Sequence, residues 1–257
     1  MTHPWFQASA APRVLAHRGL VPHDAEGVAE NTLAAFAAAH AAGATYVESD
    51  CHLTADGEVI LFHDDDLARV AGDPRPVAEV SLRELQAIMG TRGGLLTLAE
   101  ALDSFPTLRF NLDVKVEAAA VPVGRTVAAH ADRVLLTSFS DDRRLAALRA
   151  AAAGGGSPAT SGGTRTIARV LAAVATRSER LARRALAGVD ALQVPERHRG
   201  VRVVTRRLLD VARRTGVEVH VWTVNDPGDM RRLLEMGVDG LVTDRADTAF
   251  DVLSARA

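Results

Sequence analysis

The segment ATYVESD, at residues 44–50, ends an apolar run with two carboxylates, Glu48 and Asp50. If the run is a β-strand, residues two apart face the same side, so both carboxylates share one face of the sheet. Neighbouring carboxylates repel each other unless a cation lies between them. Three other apolar runs also end in polar side chains: VLAHRG at residues 14–19, VILFH at 59–63 and LRFNLDVK at 108–115. Four such strand ends in one half of the chain predict a single site.

Apolar runs alternate with Ala-, Leu- and Arg-rich stretches at helical spacing, a rhythm that is typical of a parallel sheet with crossover helices. Eight runs are predicted to be strands: Val14–Ala16, Thr45–Asp50, Leu108–Asp113, Val134–Thr137, Pro158–Ser161, Asp190–Val194, Val217–Thr223 and Gly240–Thr243. Eight β/α pairs predict an α/β fold, a TIM (β/α)8 barrel over residues 13–255, with its active site at the C-terminal ends of the strands. The alternative is an open doubly wound sheet, but no glycine-rich dinucleotide loop follows the first run.

Two segments depart from this rhythm. Residues 64–94 are polar and interrupted by proline and glycine, with one short helix expected at Leu82–Met89, and we interpret them as a small insertion over the barrel mouth. The segment from Gly154 to Gly163 has two interpretations, an anion cradle built from backbone N–H groups or a mobile loop, and the mobile loop is the more common one. A helix is predicted over Asn31–Ala42, with Asn31 as its N-cap.

The composition is that of a soluble globular protein, with 47% hydrophobic and 24% charged residues. The formal net charge of -2 gives no electrostatic reason to expect a nucleic-acid partner. The single cysteine, Cys51, rules out an intramolecular disulfide and fits a reducing compartment. Residues 1–12 lack the cationic start and the apolar run typical of a secretory signal, and no stretch approaches the ~20 apolar residues needed to span a bilayer. The sequence therefore predicts a cytoplasmic protein without a transmembrane segment, and it indicates no oligomeric state.

Ordered short motifs resemble those of the glycerophosphodiester phosphodiesterase family. The matching strings are AHRG at 16–19, ENT at 30–32, ExD at 48–50, LTxDG at 53–57, HD at 63–64, NLDxK at 111–115, TSF at 137–139, WTVN at 222–225 and GVDGLVTD at 237–244. Each string alone is common, but their ordered combination is specific, and it extends from residue 14 to about residue 250. The resemblance implies a TIM barrel with a small insertion after the second strand.

The resemblance also implies a reaction and a set of site residues. The family hydrolyses deacylated phospholipids such as glycerophosphocholine to an alcohol and glycerol 3-phosphate, so the expected partner is a small-molecule glycerophosphodiester. By motif, the acid/base pair is His17 and His63. The residues implied for one divalent cation, Mg²⁺ or Ca²⁺, are Glu48, Asp50 and Asp113, the last of which is often Glu in the family. The residues implied for the substrate are Arg18 and Lys115 at the phosphate and Trp222 at the glycerol pocket.

Several other interpretations remain open from the sequence. A phospholipase D-like enzyme acting on lysophospholipids or sphingolipids would use the same barrel, but it needs an apolar channel. A metal-dependent lyase or aldolase would not need two histidines beside Arg and Lys. A non-catalytic barrel that binds metal and phosphate is disfavoured because both His17 and His63 are present. The string DDD at residues 64–66 looks like a second metal site, but we interpret it as a solvated acidic loop, since consecutive residues of an extended segment alternate faces. Trp222 could instead pack inside the barrel.

Overall fold

Strands and helices alternate along the chain, and the computed structural model describes them for residues 2–22 and 25–256. The strands are β1 (Arg13–His17), β2 (Tyr46–Leu53), β3 (Val59–Leu61), β4 (Arg109–Val114), β5 (Val134–Thr137), β6 (Ala159–Thr160), β7 (Ala191–Pro195), β8 (Arg197–His198), β9 (Val201–Arg202), β10 (Glu218–Trp222) and β11 (Gly240–Thr243). The α-helices are α1 (Leu33–Ala41), α2 (Ala68–Ala71), α3 (Leu82–Met89), α4 (Leu98–Ser104), α5 (Ala120–Val127), α6 (Asp141–Ala153), α7 (Thr164–Ala175), α8 (Glu179–Ala185), α9 (Arg206–Thr215), α10 (Pro227–Met236) and α11 (Ala246–Ser254). Within the described ranges, no helix is both long and apolar enough to span a membrane.

Eight of the strands pair in parallel around a nearly closed sheet. Their order is β6, β5, β4, β2, β1, β11, β10 and β7. A single parallel bridge between Ser161 and Ala191 joins the β6 edge to the β7 edge. Each barrel strand therefore lies beside its neighbour in the sequence, with helices on the connections, which is the topology of a TIM barrel. The predicted fold class is confirmed.

All eight predicted runs form barrel strands, with small shifts at their ends. The weakest run, Pro158–Ser161, has only two residues in β6, and glycines surround it. Within the segment from Gly154 to Gly163, Gly154 and Gly155 are exposed, whereas Gly156 and residues 158–163 are buried. An added Cβ at Gly156 would lie 2.4 Å from the Ala128 carbonyl oxygen, and one at Gly163 would lie 2.9 Å from the Asp141 carboxylate. These glycines allow close approach of backbone and helix, and the choice between a mobile loop and an anion cradle stays a prediction.

The N-terminal end of the barrel is filled by a segment that lies outside the predicted domain. A 3₁₀ helix at Pro4–Gln7 places Trp5 in the barrel, where it is fully buried and donates from its indole Nε1 to the Phe110 carbonyl oxygen at 3.0 Å. Arg13, which is 4% exposed, lies beside this plug. Its guanidinium donates to both carboxylate oxygens of Glu218, at 2.8 and 2.9 Å, and to the Tyr46 hydroxyl at 2.7 Å.

We expect Arg13→Met to lower the free energy of unfolding by ~3–5 kcal/mol. The substitution leaves the Glu218 carboxylate without its cation and the buried Tyr46 hydroxyl without the hydrogen bond from the guanidinium. Urea unfolding followed by circular dichroism measures this change. The matched control is Arg165→Met, which removes an exposed pair with Asp142 and should cost at most ~1 kcal/mol. Equal effects of the two substitutions would contradict a structural role for the Arg13 network.

The insertion is a small packed unit and not only a polar loop. The chain first makes the expected hairpin, in which β2 and β3 pair antiparallel with Cys51 opposite Leu61. The helix predicted at Leu82–Met89 forms as α3. An apolar cluster separate from the main core holds the insertion on β3 and consists of Ile60, Phe62, Leu67, Val77, Val80, Leu85, Met89 and Leu95. Helical spacing within α3 aims Leu85 and Met89 into this cluster.

Candidate active site

The strand register brings the predicted polar strand ends together at the C-terminal side of the barrel. In the pairing of β1 with β2, His17 lies opposite Glu48. In the pairing of β2 with β4, Asp50 lies opposite Asp113. Parallel neighbours in a barrel carry their final residues to the same rim, so residues distant in the sequence become adjacent.

The Asp50 carboxylate is the centre of this group and is almost completely buried. Lys115 Nζ lies 3.2 Å from Asp50 Oδ1 and 3.2 Å from Asp113 Oδ2, so one ammonium bridges both aspartates. On the other side, Arg18 Nε lies 3.2 Å from Asp50 Oδ2. Both of the predicted phosphate-binding cations therefore contact the predicted metal ligands directly.

The backbone after β1 turns sharply to aim Arg18 into the site. Arg18 has a φ of 57°, in the left-handed region that non-glycine residues rarely adopt. Its N–H donates to the Glu48 carbonyl oxygen at 2.8 Å, which continues the pairing of β1 with β2 beyond the strand. Gly19 follows with a φ of 88°, and an added Cβ there would lie 2.8 Å from the backbone of Ala35. Only glycine fits between this turn and α1.

Asn31 belongs to the site and does not cap α1, so its predicted role as N-cap is wrong. The N-cap is Thr32, whose side chain accepts from the Ala35 N–H. Asn31 has a φ of 59° and is buried, with its amide Nδ2 3.3 Å from Asp50 Oδ2. Ser49 donates its hydroxyl to Asn31 Oδ1 at 2.7 Å. The N-cap lies one residue later than predicted because Asn31 is directed to the carboxylates.

Burial and mutual repulsion change the acidity of the carboxylates. Burial, followed by the charge of Asp50, raises the pKa of Glu48 to about 8. Burial also raises the pKa of Asp113 to about 6, with Asp50 adding to the rise while Lys115 opposes it. Burial acts in the opposite direction on Lys115, but Asp50 and Asp113 outweigh it and raise the pKa of its ammonium. Three carboxyl groups therefore lie beside two cations, and Glu48 and Asp113 keep their protons to higher pH than isolated carboxyl groups do.

Each of the two predicted catalytic histidines is held by an aspartate. His17 Nδ1 lies 2.6 Å from Asp244 Oδ1, and its Nε2 lies 3.8 Å from Glu48 Oε2. Burial lowers the pKa of His17, but Glu48 and the hydrogen bond to Asp244 outweigh it, so the pKa is raised. His63 Nδ1 lies 2.6 Å from Asp64 Oδ1. In both cases the aspartate is bound to Nδ1, which leaves Nε2 as the ring nitrogen available for chemistry.

His63 approaches the group from the insertion side. The Phe62 N–H donates to the Asp50 carbonyl oxygen at 2.9 Å, so the chain reaches His63 directly beside the end of β2. Its side chain is 33% exposed, compared with 16% for His17. The two histidines therefore lie on different elements at the same rim, one on β1 and one at the start of the insertion.

Aromatic side chains form one edge of the mouth. Trp222, at the end of β10, is half-buried, and its ring lies 5.9 Å from that of Phe139 in an edge-to-face arrangement. Phe139 is 60% exposed, and Lys115 Nζ lies 5.9 Å from its ring centroid. Trp222 therefore lies beside Phe139, which borders the predicted phosphate-binding lysine, and it does not pack entirely inside the barrel.

The donor set fits a hard divalent cation in its chemistry. Glu48 Oε2 and Asp113 Oδ1 are buried and have no hydrogen-bond partner among the described residues. Unpartnered carboxylate oxygens are the ligands that Mg²⁺ and Ca²⁺ prefer. In the part of the chain that the structure describes, however, no three His, Cys, Asp or Glu side chains are arranged to hold an ion together. Lys115 lies between two of the three predicted ligands instead.

Sequence reasoning missed several residues of this site. Asp244 directly follows β11, so the rule that singled out the other strand ends could have found it. Asp64 had been interpreted as part of a solvated acidic loop, but it contacts His63, so that interpretation is wrong for this residue. Asn225 supports Asp244 by donating to its Oδ2 at 2.7 Å. Glu30, which contacts Arg18, stood in the matched ENT string without an assigned role. Arg69, which contacts Asp64, gave no signal from the sequence.

A family model agrees with this arrangement. The model of the glycerophosphoryl diester phosphodiesterase family matches residues 17–248. The chain therefore belongs to this family, and it is an enzyme of the phosphodiesterase class, as predicted.

Individual relatives are similar over almost the whole chain. A protein described as probable glycerophosphodiester phosphodiesterase 2, from Mycobacterium tuberculosis (strain ATCC 25618 / H37Rv), is 36% identical over 246 residues, covering 94% of this chain and 90% of that protein. A crystal structure of a glycerophosphodiester phosphodiesterase from Thermotoga maritima matches with a TM-score of 0.70 at 26% identity, covering 94% of this chain and 97% of that one. The structure of an Oleispira antarctica phosphodiesterase in complex with the product sn-glycerol-3-phosphate has a TM-score of 0.71 at 22% identity, covering 95% and 97%, and supports the fold.

Proposed function

We propose that this enzyme hydrolyses glycerophosphodiesters to an alcohol and glycerol 3-phosphate, with His17 and His63 as the acid/base pair. The observation that carries the proposal is that each histidine has an aspartate 2.6 Å from Nδ1 beside a group of carboxylates and cations. Membership of the family and the description of the Mycobacterium tuberculosis relative support the choice of substrate.

The two histidines divide the proton transfers. An aspartate that accepts from Nδ1–H orients the ring and leaves Nε2 free to take or give a proton. One imidazole removes a proton from the nucleophile, and the other protonates the departing alkoxide. Their positions on separate elements of one rim, β1 and the insertion, support a division of the two roles at a single phosphorus atom.

Arg18 and Lys115 bind the phosphate in this proposal. A phosphodiester is an anion, and its charge must be neutralised before a nucleophile can approach. Both cations form ion pairs with Asp50, and these pairs keep them at the rim before a substrate binds. Phe139 borders Lys115 and Trp222 lies against Phe139, so the two rings offer apolar surface to the carbon atoms of the glycerol.

Glu48, Asp50 and Asp113 are the residues that would hold one divalent cation, Mg²⁺ or Ca²⁺. When bound, such an ion supplies further neutralisation of the phosphate charge. The buried oxygens of Glu48 and Asp113 that lack partners support this assignment. Because Lys115 pairs with both aspartates, it would share Asp50 and Asp113 with the ion.

We expect Arg18→Ala to lower kcat/KM for glycerophosphocholine, glycerophosphoethanolamine and glycerophosphoglycerol by a similar factor, about 10–100-fold. The phosphate is common to all three, and a hydrogen bond to a charged group contributes ~1.5–3 kcal/mol. Release of glycerol 3-phosphate from each diester tests both the activity and the uniform loss. If a long-chain lysophospholipid proves to be the best substrate by a wide margin, the phospholipase D-like function replaces this one. No release of the head-group alcohol by the wild-type protein, from these diesters or from a lysophospholipid, would contradict both.

A further inference from the structure

Arg69 connects the insertion to the barrel mouth through two carboxylates. It lies on α2, six residues after His63 in the chain. Its Nε donates to Asp64 Oδ2 at 2.6 Å, and its Nη2 donates to Glu30 Oε1 at 2.6 Å. The side chain is 52% exposed, so packing alone does not account for its position.

Each of these carboxylates also holds a residue of the proposed mechanism. Asp64 uses its other oxygen, Oδ1, for His63 Nδ1 at 2.6 Å. Glu30 Oε1, which accepts from Arg69, also accepts a hydrogen bond from Arg18 Nη1 at 2.7 Å. The contacts therefore run without interruption from His63 through Asp64, Arg69 and Glu30 to Arg18.

We propose that Arg69 is a positioning residue that fixes His63 and Arg18 relative to each other, a role that rests on the proposed function of those two residues. Asp64 and Glu30 lie on different segments, and Arg69 is the cation that both share. Without it, the imidazole is the side-chain partner that remains to Asp64 among the described residues, and the carboxylate can change rotamer together with it. Among the same residues Glu30 retains Arg18 and can draw that guanidinium away from the phosphate.

The chemistry of the connection requires arginine. The two contacts are made by two different nitrogens of one planar guanidinium, so their separation is fixed by covalent geometry. A lysine at this position offers one ammonium on a flexible stem and can keep one contact in good geometry, but not both. Arg69→Lys should therefore recover only part of what is lost in Arg69→Met.

The chain contains a matched control. Arg75 lies on the same insertion, is 44% exposed and also bridges two carboxylates, those of Asp73 and Glu84. Within the described residues, neither carboxylate is hydrogen-bonded to a residue of the proposed mechanism. Arg75→Met therefore removes the same kind of exposed ion-pair network without touching the mouth.

The kinetic test compares Arg69→Met with Arg75→Met on glycerophosphocholine. We expect Arg69→Met to lower kcat/KM by about 10–100-fold, as is typical when a residue that orients a site group is lost. Part of the loss should be a lower kcat, because His63 is displaced, and part should be a higher KM, because Arg18 binds the phosphate less well. Asp64→Asn should affect mainly kcat, and Glu30→Gln mainly KM. Adding Arg69→Met to the Asp64→Asn/Glu30→Gln double variant should cause little further loss, because residues in one network are not additive.

A second measurement does not depend on activity. The ¹⁵N chemical shifts of the His63 ring report its tautomer and its order, and we expect one held tautomer in the wild-type protein and in Arg75→Met, but a mixture in Arg69→Met. Equal kinetics of Arg69→Met and Arg75→Met, or an unchanged His63 spectrum in Arg69→Met, would overturn the proposal. If the wild-type enzyme does not act on glycerophosphodiesters but the spectrum changes as expected, the proposed function fails while the positioning role stands.

Discussion

Replacing His17 or His63 with alanine is expected to lower turnover by ~10²–10⁴-fold while the protein remains folded. Each substitution removes one of the two groups that move protons at the phosphate. Neither ring is part of the apolar core, and the fold rests on the barrel strands and their helices. Steady-state assays of glycerol 3-phosphate release measure the loss, and circular dichroism and thermal unfolding verify the fold.

The control for this experiment is His40→Ala. His40 lies on α1, is exposed and contacts Thr107 away from the mouth. Its substitution should leave turnover within about twofold, since surface changes away from a site have small effects. Near-normal turnover in a folded His17→Ala or His63→Ala variant would exclude that histidine from the mechanism and leave the other to be explained alone.

Removal of divalent cations is expected to abolish activity, and added Mg²⁺ or Ca²⁺ should restore it. The physical reason lies in the acidic group itself, where Glu48 and Asp113 carry buried oxygens that no described residue satisfies. Chelation with EDTA followed by dialysis and metal addition provides the assay. Titration calorimetry provides a measurement of binding that is independent of turnover.

Glu48→Gln tests the location of the ion. The amide keeps the shape of the side chain but removes one negative charge from the proposed ligands, so it should weaken binding of the cation. Glu58→Gln, an exposed carboxylate of the β2–β3 hairpin, is the control and should bind as the wild-type protein does. Full activity after thorough chelation, or unchanged metal binding in Glu48→Gln, would be enough to discard the proposed metal site.

The sequence by itself determined the barrel and most of its polar rim. Apolar runs with regular spacing are local features, and each specifies a strand without knowledge of its neighbours. The predicted residues His17, Glu48, Asp50 and Asp113 converge because the parallel register repeats around the barrel. Local pattern also sufficed for α3, where a short amphipathic stretch follows the N-cap Ser81.

Only the tertiary structure decided how these residues are held. The contact between His17 and Asp244 joins residues that are 227 positions apart in the sequence. It forms because β1 and β11 are neighbours in the closed barrel. Asn31 stands before a helix, where the usual role is an N-cap, but the nearby carboxylates bind its amide instead. Arg69 belongs to an insertion whose orientation follows from its own apolar cluster. The patterns that predict strands and helices depend on residues close together in the sequence. The partners of a charged side chain depend instead on which surfaces the whole fold brings together.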